Sequence, residues 1–118
     1  MLKWCLKGLR RNMEENDYSV HFTKLAMNDL DDIFRYISEK LFAEGSATRL
    51  LDRLESSIMQ LKEFPKLGNR LTDEYLRIKG YRRVIVDSYI IFYIVSDERK
   101  EVIIMRVLYG KRQYEDLL

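Results

Sequence analysis

The chain has 118 residues, of which 47% are hydrophobic and 34% are charged, with one proline and five glycines. These values predict one compact domain with a single core and exclude a disordered chain. No apolar run approaches the roughly 20 residues that span a bilayer, so we expect no membrane partner. The lone cysteine, Cys5, cannot form an internal disulfide, which is consistent with a reducing cytoplasm.

The net charge of +2 is too small to indicate nucleic-acid binding. Residues 62–118 contain 12 basic and 9 acidic residues, a net +3 that weakly favours an anionic partner for this half. Ordinary scatter of surface charge explains the same count equally well. The sequence has no zinc-site spacing, P-loop or dinucleotide fingerprint, so we expect neither a metal nor a cofactor.

The first elements are a strand and a helix. Alternation over residues 18–22 predicts the strand, and Thr23 can cap a helix from about residue 24 to residue 41. The apolar residues of that helix recur every three or four positions: Ala26, Leu30, Ile33, Phe34, Ile37 and Leu41. The three aspartates Asp29, Asp31 and Asp32 are expected on the opposite, solvated face.

A second helix is predicted from about Ser46 to Glu63, where Phe64-Pro65 ends it. Two helices with a short connection predict an antiparallel hairpin, and we expect both to lean on a sheet. Residues 66–74 are predicted to be a loop.

Three β-type runs follow, at residues 81–86, 89–95 and 102–109. The two residues Asp87-Ser88 predict a tight hairpin between the first two runs. The middle run, YIIFYIV, is apolar at both alternating sets of positions, which predicts a central strand covered on both faces. The predicted order is β-α-α-β-β-β, in the α+β class.

The arginines stand at the ends of these runs, with Arg82 and Arg83 at the first and Lys111-Arg112 after the last. We therefore expect a cationic, tyrosine-lined face suited to a phosphate-bearing polymer or an acidic protein. Because alternate residues of a strand face opposite sides, Arg82 and Arg83 cannot both point at one site. Arg106 lies inside an apolar strand, so we expect it to pair with a carboxylate or a partner protein.

Four stretches, at residues 26–37, 61–65, 81–93 and 106–112, carry the patterns A-x-x-D-L-x-x-I-x-x-Y-I, L-x-x-F-P, Y-R-R-x-x-V-D-x-Y-x-x-F-Y and R-V-L-Y-G-K-R. In this order they resemble the RelE/ParE superfamily of bacterial toxins. The resemblance implies a small, curved, mostly antiparallel sheet packed against a helical hairpin over residues 17–118. Residues 1–16 lie outside it as an N-terminal extension of unknown role, unless translation starts at Met13.

The resemblance implies the toxin of a type II toxin–antitoxin pair, located in the cytoplasm. A neighbouring gene would encode a small acidic or amphipathic antitoxin that holds the toxin inactive, partly by covering the basic C-terminal face. Operator DNA would be bound only through that antitoxin. Toxins of this superfamily either cleave mRNA on the ribosome or block DNA gyrase.

For a ribonuclease, the resemblance implies catalytic roles for Arg83, Arg112 and Tyr114. Arg82 would share the grip on phosphate, since a guanidinium binds phosphate oxygens through a planar fork. Tyr89 and Tyr109 would stack on bases, and Lys111 would add charge to the substrate site. Tyr114 can transfer protons only if nearby cations lower its pKa from about 10.

Two features depart from the ribonuclease pattern. Ile90 occupies the position where many of these ribonucleases have an arginine, and the lone histidine, His21, matches no catalytic position. Three hypotheses therefore stay open: a metal-independent mRNA endoribonuclease, a gyrase inhibitor without catalysis, and a degenerate, non-toxic module that only binds antitoxin.

Overall fold

The computed structural model describes residues 18–40, 44–110 and 117–118. Its first elements are β1 (Ser19–Phe22), α1 (Lys24–Arg35), a π-helical segment (Tyr36–Lys40) and α2 (Glu44–Glu63). The remaining elements are β2 (Asn69–Arg70), α3 (Glu74–Ile78), β3 (Arg82–Val86), β4 (Tyr89–Ser96) and β5 (Glu101–Tyr109). The predicted α+β class and element order are confirmed, with β2 and α3 as additions.

The five strands form one sheet in the order β1-β5-β4-β3-β2. β1 runs parallel to β5, and the other neighbouring pairs are antiparallel. A bulge interrupts the β4–β5 pairing at Phe92/Tyr93, so that Phe92 lies opposite Arg106 and Tyr93 lies opposite Ile104. A bulge increases the local twist and bends the strand that carries the extra residue, here β5 at Met105.

Each face of the sheet carries its own core. The helix-side core joins the two long helices to the sheet, with Leu30, Leu54, Ile58, Ile91, Tyr93 and Ile104 among its members. The second core covers the other face and contains Leu71, Leu76, Tyr81, Ile90, Phe92 and Leu108. Residues 90–93 of β4 contribute to both cores, which confirms that this strand is central and covered on both sides.

Thr23 begins α1 as predicted, and it also ties the helix to the sheet. Its Oγ1 accepts a hydrogen bond from the Ala26 amide at 3.1 Å and donates one to the Met105 carbonyl at 2.8 Å. The predicted end of this helix is wrong, because the α-helical hydrogen bonding stops at Arg35 and becomes π-helical. Apolar spacing could not distinguish the two, since Ile33 and Ile37 pack on the helix-side core in either case. Leu41 lies outside the described residues.

The predicted loop at residues 66–74 is wrong in part, because it contains β2 and ends as α3 begins. Asp73 caps α3 by accepting a hydrogen bond from the Leu76 amide at 3.1 Å, and Leu76 packs in the second core. The α2 start was also predicted two residues late, at Ser46 rather than Glu44. Among residues 18–40 and 44–110, no helix combines the length and apolar composition that crossing a membrane needs.

Gly68 lies where the chain enters β2 and packs directly against Tyr93. The Gly68 amide donates to the Tyr93 hydroxyl oxygen at 2.8 Å, inside the core. A Cβ at position 68 would lie 2.7 Å from that oxygen and would also overlap the Arg83 carbonyl, which belongs to the backbone. Only glycine therefore fits beside the Tyr93 ring without moving β3.

We expect Gly68→Ala to lower the free energy of unfolding by about 1–3 kcal/mol, because the added methyl group overpacks a rigid site. Urea denaturation followed by circular dichroism measures this change. The matched control is Gly45→Ala in α2, where the nearest atom is the end of the Arg49 side chain at 3.5 Å. That control should be neutral or stabilising by up to about 1 kcal/mol; equal losses in both variants would contradict the packing argument.

Candidate functional site

The two neighbouring arginines of β3 lie on opposite faces of the sheet. Arg82 is directly opposite Tyr93, which belongs to the helix-side core, whereas Arg83 is opposite Phe92, which belongs to the second core. Residues directly opposite each other on paired strands share a face. The alternation argument is therefore confirmed, and the two guanidinium groups start from different sides of the sheet.

Arg82 holds the loop before β2. Its Nη1 donates to the Gly68 carbonyl at 2.7 Å and to the Lys66 carbonyl at 3.4 Å. Burial raises the pKa of the Tyr93 hydroxyl, and the Gly68 amide and Arg82 partly offset this rise. These contacts give Arg82 a structural role in fixing residues 66–70 against β3.

Arg83 is half-buried and lines a depression of about 260 Å³ beside β2, together with Leu67, Asn69 and Ile85. Lys111, Arg112 and Tyr114 lie outside the described residues. Of the three residues predicted to be catalytic, the structure therefore places Arg83 alone.

Tyr89 and Tyr109 face each other across β4 and β5. Their ring centroids are 5.6 Å apart at an interplanar angle of 65°, an edge-to-face contact. Tyr89 is opposite Val86 on β3, and Arg82 is four residues away along that strand, or roughly 13 Å at 3.3 Å per residue. Arg82 and the tyrosine pair thus share the helix side of the sheet but stand at opposite ends of β3.

An open groove of about 770 Å³, here called the tyrosine groove, lies between the helices and the Asp87-Ser88 turn. Its apolar lining consists of Ile33, Tyr36, Ile37, Leu50, Tyr89 and Tyr109. Tyr36 is 54% exposed and Tyr109 is 40% exposed, so both rings offer a face to a ligand. Burial raises the pKa of Tyr89, with smaller contributions from Tyr109 and Tyr36, and its hydroxyl stays neutral near pH 7.

The described charged side chains that line the tyrosine groove are three carboxylates and one guanidinium, whereas Lys111 and Arg112, on which the expectation of a cationic, tyrosine-lined face rested, lie outside the described residues. Asp29, Asp32 and Asp87 line the groove, and Arg53 is the basic side chain among its described lining residues. Arg53 Nε is 2.6 Å from Asp87 Oδ2, which ties α2 to the turn between β3 and β4. The alternating pattern predicted the strands, but the helices decide which charges surround the tyrosines.

Arg106 forms a paired, two-point contact with Asp29. Its Nε and Nη2 donate to the two carboxylate oxygens at 2.8 and 2.9 Å, and the Val107 amide donates to the same carboxylate at 3.0 Å. Arg106 Nη1 also donates to the Leu117 carbonyl at 3.1 Å. This confirms the expected pairing of Arg106 with a carboxylate. The Asp29 bond raises the pKa of Arg106, so the guanidinium stays charged.

The prediction of a solvated Asp29 is wrong, because its side chain is only 11% exposed. β1 pairs with β5 only as far as Ile104, which leaves the edge of β5 uncovered beyond that residue. α1 starts there and brings Asp29 to the uncovered Val107 amide. Helical periodicity marks the side of α1 that carries aspartates, but the end of β1 decides that one of them is buried.

The sequence analysis did not predict the tyrosine groove, because Tyr36 lies within the first predicted helix and Asp87 in a predicted turn, and no local pattern relates the two. Within the described residues, no three His, Cys, Asp or Glu side chains form a group able to hold a metal ion. The chemistry that this part of the chain offers is therefore aromatic contact, carboxylates at the rim and a separate arginine on the other face.

Comparisons with known proteins identify a family and several similar folds. The sequence profile described as the ParE toxin of the type II toxin–antitoxin system parDE matches residues 20–114. The fold is similar to the chromosomal ParDE system of P. aeruginosa, with 19% identity over 82% of this chain and 100% of that one, at a TM-score of 0.66. A search of curated protein sequences gives no match.

Two further solved structures share the fold. The toxin–antitoxin complex RelBE2 from Mycobacterium tuberculosis is 24% identical over 79% of this chain and 98% of that one, with a TM-score of 0.55. A mutant of the E. coli toxin RelE in the free state is 16% identical over 80% and 85%, with a TM-score of 0.59. Because these identities are below 25%, the similarity shows a shared fold only.

We expect Asp29→Ala to reduce the free energy of unfolding by about 3–5 kcal/mol, because it leaves a buried guanidinium without its carboxylate. Urea denaturation measures the loss, and Asp32→Ala, on the exposed side of the same helix, should change it by no more than about 0.5 kcal/mol. The double variant Asp29→Ala/Arg106→Leu should lose less than Asp29→Ala alone, since no charge stays buried. A larger loss in the double variant would contradict this account of the pair.

Proposed function

We propose that this chain, which belongs to the ParE toxin family of type II toxin–antitoxin systems, inhibits its target protein by binding to it and does not cleave RNA. The proposed target is DNA gyrase. One observation carries the proposal: the arginines that the structure describes near the sheet do not converge on one point.

RNA cleavage without a metal needs proton-transfer groups and charge-stabilising donors that are aimed at one phosphate. Arg82 and Arg83 lie on opposite faces, Arg82 binds two backbone carbonyls, and Arg106 binds Asp29 and the Leu117 carbonyl. Ile90, at the position where many ribonucleases of the superfamily have arginine, is 6% exposed and packs with Phe92 and Leu108. These contacts support an inhibitor that acts by binding.

A cognate antitoxin is the second partner that we propose, and the tyrosine groove is its site. Protein interfaces use tyrosine as an anchor because it combines a large apolar ring with a hydrogen-bonding hydroxyl. Tyr36 and Tyr109 are the exposed rings of this groove, and Asp32 and Asp87 lie at its rim. The complementary segment is an amphipathic helix with apolar side chains toward the tyrosines and a basic residue toward the rim. Operator DNA would be bound through the antitoxin.

The test of target is induction of the full chain without antitoxin, followed by gels of chromosomal DNA and of cellular mRNA. We expect double-strand DNA breaks and an SOS response with intact mRNA, and inhibition of supercoiling by purified gyrase. Cut mRNA with an intact chromosome would identify a ribonuclease and overturn the proposal. Normal growth on induction would identify a non-toxic module and would overturn it as well.

Ribosome-dependent mRNA cleavage is the second candidate, and the position of Arg83 favours it. Arg83 lines a depression beside the backbone of β2, where a phosphate could be held. In that case Arg83, Arg112 and Tyr114 act on the phosphate and the attacking hydroxyl, while Arg82, Tyr89, Tyr109 and Lys111 position the RNA. Arg83→Ala and Arg112→Ala would then each relieve growth arrest and leave mRNA uncut.

We expect Tyr36→Ala and Tyr109→Ala each to weaken antitoxin binding by at least about 2 kcal/mol, or roughly 30-fold in Kd, because each removes an aromatic anchor. Isothermal titration with the antitoxin encoded by the neighbouring gene measures the change. The matched control is Tyr75→Ala, since Tyr75 is 64% exposed but lies on α3. Equal weakening by all three variants would place the antitoxin elsewhere or show nonspecific damage.

A further inference from the structure

A second groove, here called the entry groove, lies where the described chain begins. It has a volume of about 490 Å³ and is lined by Tyr18 and by residues 63–67. Phe64 is 61% exposed and Leu67 is 52% exposed, although both are large and apolar. Two such side chains in one concave surface indicate a place where another apolar segment packs.

The exposure of Phe64 and Leu67 follows from the end of α2. Pro65 prevents the helix from continuing, and the Leu67 amide donates to the Phe64 carbonyl at 3.0 Å, which closes a tight turn. The turn holds both side chains outward at the rim of the sheet. The turn therefore keeps both side chains exposed, by the fractions given above.

Tyr18 fixes the point where the preceding chain reaches the entry groove. Its amide donates to the Lys62 carbonyl at 3.1 Å, and its hydroxyl donates to Asp97 at 2.9 Å. The Asp97 carboxylate also accepts a hydrogen bond from the Lys66 ammonium, with Nζ and Oδ2 2.9 Å apart. Two hydrogen bonds thus hold Tyr18, the first described residue, beside the entry groove, so residues 1–17 are attached directly beside the exposed pair.

The sequence of residues 1–17 carries an apolar pattern of its own. Leu2, Leu6, Leu9 and Met13 are spaced by four, three and four, the spacing of one helical face. The family profile begins only at residue 20, so the family does not account for this segment. Residues 14–17 are four residues long and reach at most roughly 14 Å, which keeps the apolar spacing close to Tyr18.

We infer that residues 1–17 dock in the entry groove and cover Phe64 and Leu67 with their apolar side chains. Attachment at Tyr18 gives the segment an effective concentration in the millimolar range, far above that of a separate partner in a cell. The segment then completes the fold of its own chain. This inference is independent of the target of the toxin.

The test needs a tryptophan on the apolar face, but the spacing that puts Leu2, Leu6 and Leu9 on one face of a helix puts Trp4, the sole tryptophan, on the opposite face. The parent chain for the test is therefore the variant Trp4→Phe/Leu6→Trp. The full-length protein is examined by tryptophan emission and by acrylamide quenching. We expect a blue-shifted emission and slow quenching in the parent chain. Phe64→Ser and Leu67→Ser should each shift the emission to the red and raise the quenching constant several-fold. The control is Ile78→Ser, because Ile78 is 78% exposed and lies on α3.

Each outcome decides the inference. Loss of protection with Phe64→Ser and Leu67→Ser but not with Ile78→Ser, at unchanged circular dichroism, supports docking in the entry groove. A Leu6→Trp indole that is fully accessible in the parent chain overturns it, as does protection that neither groove variant changes. Protection that disappears on dilution assigns the groove to a second copy of the chain, and protection that appears only with antitoxin assigns it to that partner; both also overturn the inference.

Discussion

The contact between Asp29 and Arg106 decides how the helices sit on the sheet. β1 is short and leaves the last part of β5 without a strand on the side opposite β4, so the Val107 amide would be buried without a partner. The Asp29 carboxylate takes that amide and the Arg106 guanidinium together, and Arg106 also reaches the Leu117 carbonyl. Asp29 and Arg106 together therefore connect α1, β5 and Leu117.

Three described arginines are held by groups of the same chain. Arg106 neutralises Asp29, Arg53 neutralises Asp87, and Arg82 binds the carbonyls of the loop before β2. Asp29 and Asp87 are therefore matched by guanidinium groups of the same chain. Among the described residues that line the tyrosine groove, Asp32 is the carboxylate outside these two pairs, beside aromatic rings that suit a protein partner.

Local signals in the sequence predicted the elements whose causes are local. The Thr23 cap, the end of α2 at Pro65 and the central position of β4 follow from residue type and periodicity, and the structure confirms them. The burial of Asp29 was not predictable, because it depends on where β1 stops pairing. The separation of Arg82 from the tyrosine pair was equally hidden, since it needs the register of three strands. The roles of Arg112 and Tyr114 stay predictions.

Ile90 shows how far the difference from a ribonuclease pattern extends into the core. Its side chain shares the second core with Phe92 and Leu108, and its backbone pairs with Ile85 and Leu108. An arginine at this place would have to carry its charge through an apolar neighbourhood, at a cost of several kcal/mol unless a partner were present. The apolar residue at position 90 therefore fits the packing of the whole second core. A single substitution at Ile90 would disturb that packing before it created a site for phosphate.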